Sequence, residues 1–465
     1  MKYYFIIIFT FLFSFQLFAQ SEIELRNDAI IVPRTITSSI VSPEKGMIIF
    51  DTIVSEIMSY DGTAWKKLTG GCSSSGSTFT GPPVTPMCCE EQLTNGFAND
   101  NFGETVSLNG ERLLIGLPGN FGGGRVIVYK YDTTAMSWEF EVSLDDDDLS
   151  TGDGFGEALD IGEDRIVIGA PRYEVGSDIL QRGGVFAYSF VNGSWSLGSL
   201  LNNQDEEDGA KFGTSVALDG DWIVAGAPEK DVGGNSNQGK TYFFQLLTGG
   251  GFTWQKKADF TGSDSDASDQ FGKSAAIDGN TAIVGAPFAR DSSGDRNGKV
   301  YVFLRFGSLW GEHTSFEAGD MNTDDYGHSV AISGNYFLVG APGENSDRGA
   351  VYVYHHNGTT WEHLQKLTAS DGADDDKFGN SVSIRGDYAI VGAPQSLGPG
   401  KAYIFQFNGT TWNEIEIVTD PIGQDGDEFG YSVSTDSANR AVGAPKADPN
   451  GFANKGKASI GPVDE

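Results

Sequence analysis

Residues 271–287 read FGKSAAIDGNTAIVGAP, and this stretch decides the fold. It opens on an aromatic–Gly pair, Phe271-Gly272, and runs through a short alternating segment into Asp278-Gly279-Asn280. Gly and Asn supply the positive φ of a tight hairpin turn. An apolar run, Ala282-Ile283-Val284, then ends at Gly285-Ala286-Pro287. Proline cannot donate to a ladder, so it stops the second strand. One strand, a turn and a second strand are therefore expected here.

The same frame recurs seven times. Its aromatic residues are Phe102, Phe155, Phe212, Phe271, Tyr326, Phe378 and Phe429, and its prolines are Pro118, Pro171, Pro228, Pro287, Pro342, Pro394 and Pro445, every pair 16 apart. Successive frames start 53, 57, 59, 55, 52 and 51 residues apart. A constant frame with variable connections is how rigid strands and free loops behave. Outward from the frame, a third strand follows a glycine, as in Lys299 to Phe303, and a fourth carries a Trp and a Leu, as in Trp361 to Leu367. Asn357-Gly358 and Asn408-Gly409 join third to fourth.

Seven four-stranded units predict an all-β fold, a seven-bladed β-propeller, because radial closure hides the sheet edges. The last unit has only three strands after Lys457-Ala458-Ser459-Ile460. Glu90-Glu91-Gln92-Leu93-Thr94 matches the fourth-strand ending Gln365-Lys366-Leu367-Thr368 and is expected to complete that blade, with Trp65-Lys66-Lys67-Leu68 a second candidate.

The repeated Phe271-Gly272 and Gly285-Ala286-Pro287 patterns resemble the FG-GAP repeats of the integrin α-chain N-terminal propeller, and more closely the bacterial variety of that family. The resemblance covers about Glu90 to Gly461. It implies adhesion or ligand recognition, with lectins and modules attached to enzymes among the relatives. The calcium loops of integrin-type repeats lie between the aromatic–Gly pair and the Gly-Ala-Pro triplet. Here that place holds short turns such as Asp219-Gly220-Asp221 and Arg385-Gly386-Asp387, too poor in oxygen ligands for calcium. Arg385-Gly386-Asp387 also looks like an integrin-ligand tripeptide, but the hairpin turn explains it.

Residues 1–19, with Lys2, an apolar run from Tyr3 to Phe15 and Ala19 before Gln20, read as a Sec signal peptide, with an uncleaved membrane anchor the alternative. Residues 20–69 read as a small β-rich stalk segment, and 70–89 as a Ser/Gly/Pro linker carrying Cys72, Cys88 and Cys89. At most one disulfide is available among them, Cys72 with Cys88 or Cys89. The stalk resembles short N-terminal segments of Bacteroidetes surface proteins, some of which trimerise. A secreted or surface-exposed protein of a Gram-negative bacterium is the expectation, oligomeric if the stalk associates. No C-terminal sorting domain is expected after the last unit. The propeller occupies 90–465.

Charge narrows the partners. Asp and Glu total 64 against 31 Lys and Arg, a net charge of -33. Such a chain repels phosphate backbones and anionic lipid, which excludes nucleic acid as a partner. An extracellular protein or a glycan remains. Acid concentrates just before the aromatic–Gly pairs: Asp145 to Asp148 with Asp153, Asp205 to Asp208, Asp264 with Asp266 and Asp269, Asp320 with Asp324 and Asp325, Asp371 with Asp374, Asp375 and Asp376, and Asp425 with Asp427 and Glu428. Antiparallel blades put these loops on one face with the loops joining second to third strands. Two readings compete. Carboxylates and carbonyls of Asp264, Asp266, Asp269, Asp371, Asp374, Asp375, Asp376, Asp425 and Asp427 hold Ca2+, or acidic turns simply solvate the chain. The second-to-third-strand loops vary most, so ligand contacts are expected there, at Tyr173, Asp231, Asp291 and Asp295.

Trp138, Trp195, Trp254, Trp310, Trp361 and Trp412 occupy equivalent places and are expected to pack between blades. Five histidines between His313 and His363 recur in no unit, and carboxylate pairs among 64 acids are uninformative, so no catalytic residue is assigned. The expected function is a non-catalytic binding or adhesion module using the acidic face. A lectin-like carbohydrate binder and a glycan-cleaving propeller enzyme are the alternatives.

Overall fold

The computed structural model describes residues 91–94, 98–119, 122–174, 181–202, 209–247, 252–318, 325–395, 398–449 and 453–463, with short strands in the first ninety residues. The chain divides into two units, Met1–Cys89 and Glu90–Glu465. In the first, Leu25–Arg26 pairs with Ala29–Ile30, and Arg34–Thr35, Ile48–Asp51, Glu56–Tyr60 and Trp65–Lys67 form a four-stranded sheet. The signal peptide, the linker and its cysteines lie outside the described residues.

The second unit holds seven four-stranded antiparallel sheets, each taking its strands in chain order except the last. The first strands are Thr105–Asn109, Ala158–Ile161, Ser215–Asp219, Ser274–Asp278, Ser329–Ser333, Ser381–Arg385 and Ser432–Thr435. All seven line one central cavity. The fold is an all-β seven-bladed propeller with almost no helix. In the last blade the fourth strand is Glu91–Leu93, whose Leu93 lies opposite Ala458. Trp65–Lys67 pairs instead with Glu56–Tyr60.

The repeated residues have separate physical jobs. The seven aromatics of the frame are fully buried. The following glycine takes positive φ, +90° at Gly272, and donates its N–H to the Gly285 carbonyl of its own blade. The triplet glycine permits close approach of the neighbouring blade. A Cβ on Gly285 would sit 2.1 Å from the Gly327 carbonyl oxygen, and one on Gly443 would sit 1.9 Å from that of Gly103. A serine at the head of the inner strand then stitches blade to blade: Ser215 Oγ donates to the Gly272 carbonyl, Ser274 to Gly327, Ser329 to Gly379, and Ser432 to Gly103, all at 2.8–2.9 Å. The last of these joins seventh blade to first.

Apolar residues gather into seven clusters, each drawn from two adjacent blades. Burial between twisted sheets replaces a single central core. The tryptophan series belongs to it: Trp138, Trp254, Trp310, Trp361 and Trp412 are buried, and Trp195 is half-buried. Third and fourth strands slip by one residue in six blades, as between Val302 and Phe303, a bulge that sharpens the local twist. The first-to-second-strand turns differ in one detail from expectation. Gly279 and Gly334 have φ of 59° and 57°, but Asn280 and Asn335 do not take positive φ. A glycine at the first turn position alone meets the requirement, as in a type II′ turn.

Candidate ligand-binding face and channel mouth

Each inner strand begins at its aromatic–Gly pair on one face of the propeller and ends at its hairpin turn on the other. The loops leading into the inner strands bond directly to the loops after the Gly-Ala-Pro triplets. Arg172 N–H donates to the Asp153 carbonyl, Phe288 to Asp269, Gln395 to Asp376, and Lys446 to Asp427. These two loop sets therefore share one face.

The buried aspartate two residues before the aromatic organises the lead-in loop. Its carboxylate accepts the N–H three residues back: Ser150 to Asp153 at 2.7 Å, Asp266 to Asp269 at 2.6 Å, Ala373 to Asp376 at 2.8 Å and Gln424 to Asp427 at 2.9 Å. Burial raises the pKa of Asp153, Asp269 and Asp427 despite these bonds. Of the residues expected to hold calcium, Asp269, Asp376 and Asp427 thus lock backbone.

Asp264 and Asp371 make a second recurring contact. Each accepts from a lysine Nζ at 2.6 Å and a tyrosine hydroxyl at 2.8 Å, Lys299 and Tyr301 for Asp264, Lys401 and Tyr403 for Asp371. Burial pushes these carboxyls up, but the bonds from lysine and tyrosine outweigh it and hold both below the usual range. Asp374 pairs with Arg348 at 2.8 Å, Asp266 accepts the Ala267 N–H, and Asp375 and Asp425 are exposed. No group of three or more His, Cys, Asp or Glu is placed to hold a metal ion among the described residues. Asp205 to Asp208, Asp320 and Asp324 lie outside them.

The ligand-contact candidates separate. Tyr173 is a correction: only 5% exposed, it packs its ring edge-on against Phe186 at 5.3 Å, so it serves the core. Asp231 and Asp295 are exposed on the variable loops and Asp291 is half-buried. Asp231 accepts the Asn237 N–H at 2.7 Å, and Asp291 accepts the N–H groups of Ser293 and Asp295 at 2.8 and 3.0 Å. Both loops are thereby shaped in advance.

Two features of the axis were not anticipated. At the hairpin end a cavity of about 620 Å³ is lined by inner strands of all seven blades. Within it the Asp160 carboxylate accepts N–H groups of Leu218 and Ile161 at 2.8 Å and the Ser107 hydroxyl at 3.2 Å. Burial raises its pKa to about 6. Ser434 and Ser383 occupy the same strand position and accept the equivalent N–H of the next blade, from Leu108 and Thr435.

At the other end the residue after each aromatic–Gly pair stands at the channel mouth: Glu104, Glu157, Thr214, Lys273, His328, Asn380 and Tyr431. The mouth is not acidic all round. Glu104, Glu157 and Glu428 gather on one side, where burial and neighbouring acids raise the Glu104 carboxyl and push Tyr431 to about 12. Lys273, His328 and Lys377 gather on the other, where Asp325 also acts on Lys273. Burial, with the charges of Lys273 and Lys377, lowers His328 to about 4, and burial beside Lys211 lowers Lys273. The signal was readable: this is the one position of the aromatic–Gly–x–Ser frame whose chemistry changes at nearly every blade.

The FG-GAP repeat family profile matches residues 195–244, 254–303, 310–354, 361–405 and 412–460. Each match runs from a fourth strand through the third strand of the next blade, so the first two frames are recognised by structure. Mouse integrin alpha-2 is 30% identical over 196 residues, 37% of this chain. The match spans only 15% of that protein's length. With just over half of its residues matched by the profile, the chain belongs to the FG-GAP repeat family.

Proposed function

We propose that this chain is a secreted or surface-exposed, non-catalytic binding module that engages an extracellular protein or glycan through the face carrying the lead-in and second-to-third-strand loops. One observation carries the reading: a rigid frame repeated in every blade presents loops of differing length and sequence on a single face, shaped by their own Asp231 and Asp291 carboxylates. Loops held by a scaffold are where binding residues concentrate. The likeness to an integrin α chain supports an extracellular location and adhesion.

Calcium is an optional partner in this reading, since Asp264 and Asp371 already neutralise lysines. Unfolding in millimolar calcium against chelator is expected to give equal Tm values. A chelator-reversible rise would return the metal to these loops.

The function is tested by screening the chain against glycan arrays and extracellular matrix proteins, beside a variant with residues 231–237 and 290–296 replaced by Gly-Ser. Binding lost in that variant, with Tm unchanged, is the expected result. A bound partner indifferent to both loops sinks the assignment, and turnover of a polysaccharide would replace it with the enzymatic alternative.

A further inference from the structure

We propose that the basic half of the channel mouth, Lys273 and Lys377 flanking His328, binds a carboxylate group. The inference rests on the reading that the loop face is the binding face, and it names a site and ligand chemistry within it.

The geometry comes from the inter-blade stitches. Ser274 Oγ donates to the Gly327 carbonyl at 2.8 Å, which sets Lys273 beside His328, and Ser329 Oγ donates to the Gly379 carbonyl at 2.8 Å, which sets His328 beside the segment carrying Lys377. Lys273 is half-buried, and its ammonium has no hydrogen-bond or ion-pair partner among the described residues; the same holds for Lys377. The acids that act on Lys273 are Glu229, Glu157 and Asp325: Glu229 is bound by Lys211 at 2.6 Å and Glu157 by Arg172, and Asp325 has a partner of its own; Glu428 pairs with Lys446 at 2.6 Å.

Burying a cation without a partner is costly, and setting it near further cations adds repulsion. A chain with 64 acids against 31 bases has ample acid to neutralise such a lysine. Two lysines without a direct partner, beside an uncharged imidazole and with only more distant carboxylates acting on Lys273, make a site that an anion completes. The opposite wall, Glu104, Glu157 and Glu428, selects the anion. It repels a multiply charged phosphate or sulfate more than a singly charged carboxylate.

The test follows the His328 ring by NMR at neutral pH in histidine-labelled chain, its signal assigned by loss in H328Q. Sodium acetate is expected to shift the ring saturably, while sodium chloride at equal ionic strength leaves it in place. Lys273→Met and Lys377→Met should each abolish the acetate response. Lys273→Met removes an unpaired half-buried charge, so its Tm should hold or rise, and Lys377→Met provides the second readout if it does not. Equal responses to acetate and chloride, an unchanged response in both variants, or tighter binding of inorganic phosphate overturns the proposal. A capped glutamyl peptide and a methyl glucuronide distinguish sources of the carboxylate; tighter binding of either than of acetate supports the site and names its source. A chain that ignores acetate but still binds its partner through residues 231–237 and 290–296 refutes this inference alone. A carboxylate response without any loop-dependent partner refutes the functional reading alone.

Discussion

Asp160 shows what one side chain in the channel does to the whole. Its folded pKa of about 6 stands above the ordinary 3.8. The folded chain therefore holds this proton more tightly than the unfolded chain, and the associated stability is complete below the unfolded value and lost as pH rises through about 6. Asp160→Ser installs the residue that two other blades use to accept the same inter-blade N–H. It is expected to raise stability at pH 7 by about 1–3 kcal/mol, since a tenfold change in proton affinity is worth about 1.4 kcal/mol. The difference from the parent protein should shrink toward pH 4. Denaturant unfolding across that range checks it, and a difference independent of pH would show that the carboxylate is not destabilised. His328 works with the opposite sign. Its pKa of about 4 lies below the ordinary 6.5, so its contribution is present above pH 6.5 and fades as pH falls through 4.

Among the elements, the second strand is the least tolerant, because its triplet glycine meets the next blade. Gly285→Ala would drive Cβ onto the Gly327 carbonyl, a backbone atom that cannot swing away. A loss of about 3 kcal/mol or more is expected, at the top of the overpacking range. Gly279, in the turn of the same blade, has nothing within 4 Å of a built Cβ. Gly279→Ala bears only the positive-φ cost of about 1 kcal/mol. Comparing the two variants by chemical denaturation separates contact from conformation, and equal losses would refute the close-approach role. The sequence keeps the triplet glycine in all seven frames, whereas the position of Gly279 holds Glu163 and Ser437 in two of them, but it does not tell what the triplet glycine touches.

For the whole molecule, closure is decided by very few residues. Glu91–Leu93 pairs with Lys457–Pro462 across more than three hundred and sixty positions of chain, and Gln92 Nε2 donates to Ser459 Oγ at 2.9 Å. Leu93 is 7% exposed in the cluster shared by the first and last blades. Leu93→Ala is expected to cost about 2–4 kcal/mol, as for a buried leucine in any core. The whole propeller should still melt in one transition, because every blade borrows its apolar surface from a neighbour. A separate early transition, followed by calorimetry, would mean that the last blade opens by itself.

By itself the sequence determined the number of blades, their strand order, the face on which variable loops emerge and the series of buried tryptophans. These follow from local periodicity, proline and glycine, which act within a few residues of themselves. Only the tertiary structure decided what the polar residues do. The acids before each frame look alike in sequence, yet Asp269 and Asp376 cap backbone while Asp264 and Asp371 grip lysines of the third strand. The charge-segregated mouth is likewise invisible along the chain, since its seven residues lie more than fifty positions apart and meet only because the blades close around one axis. Backbone preference is local, whereas the partner of a charge is set by which distant segments the ring brings together.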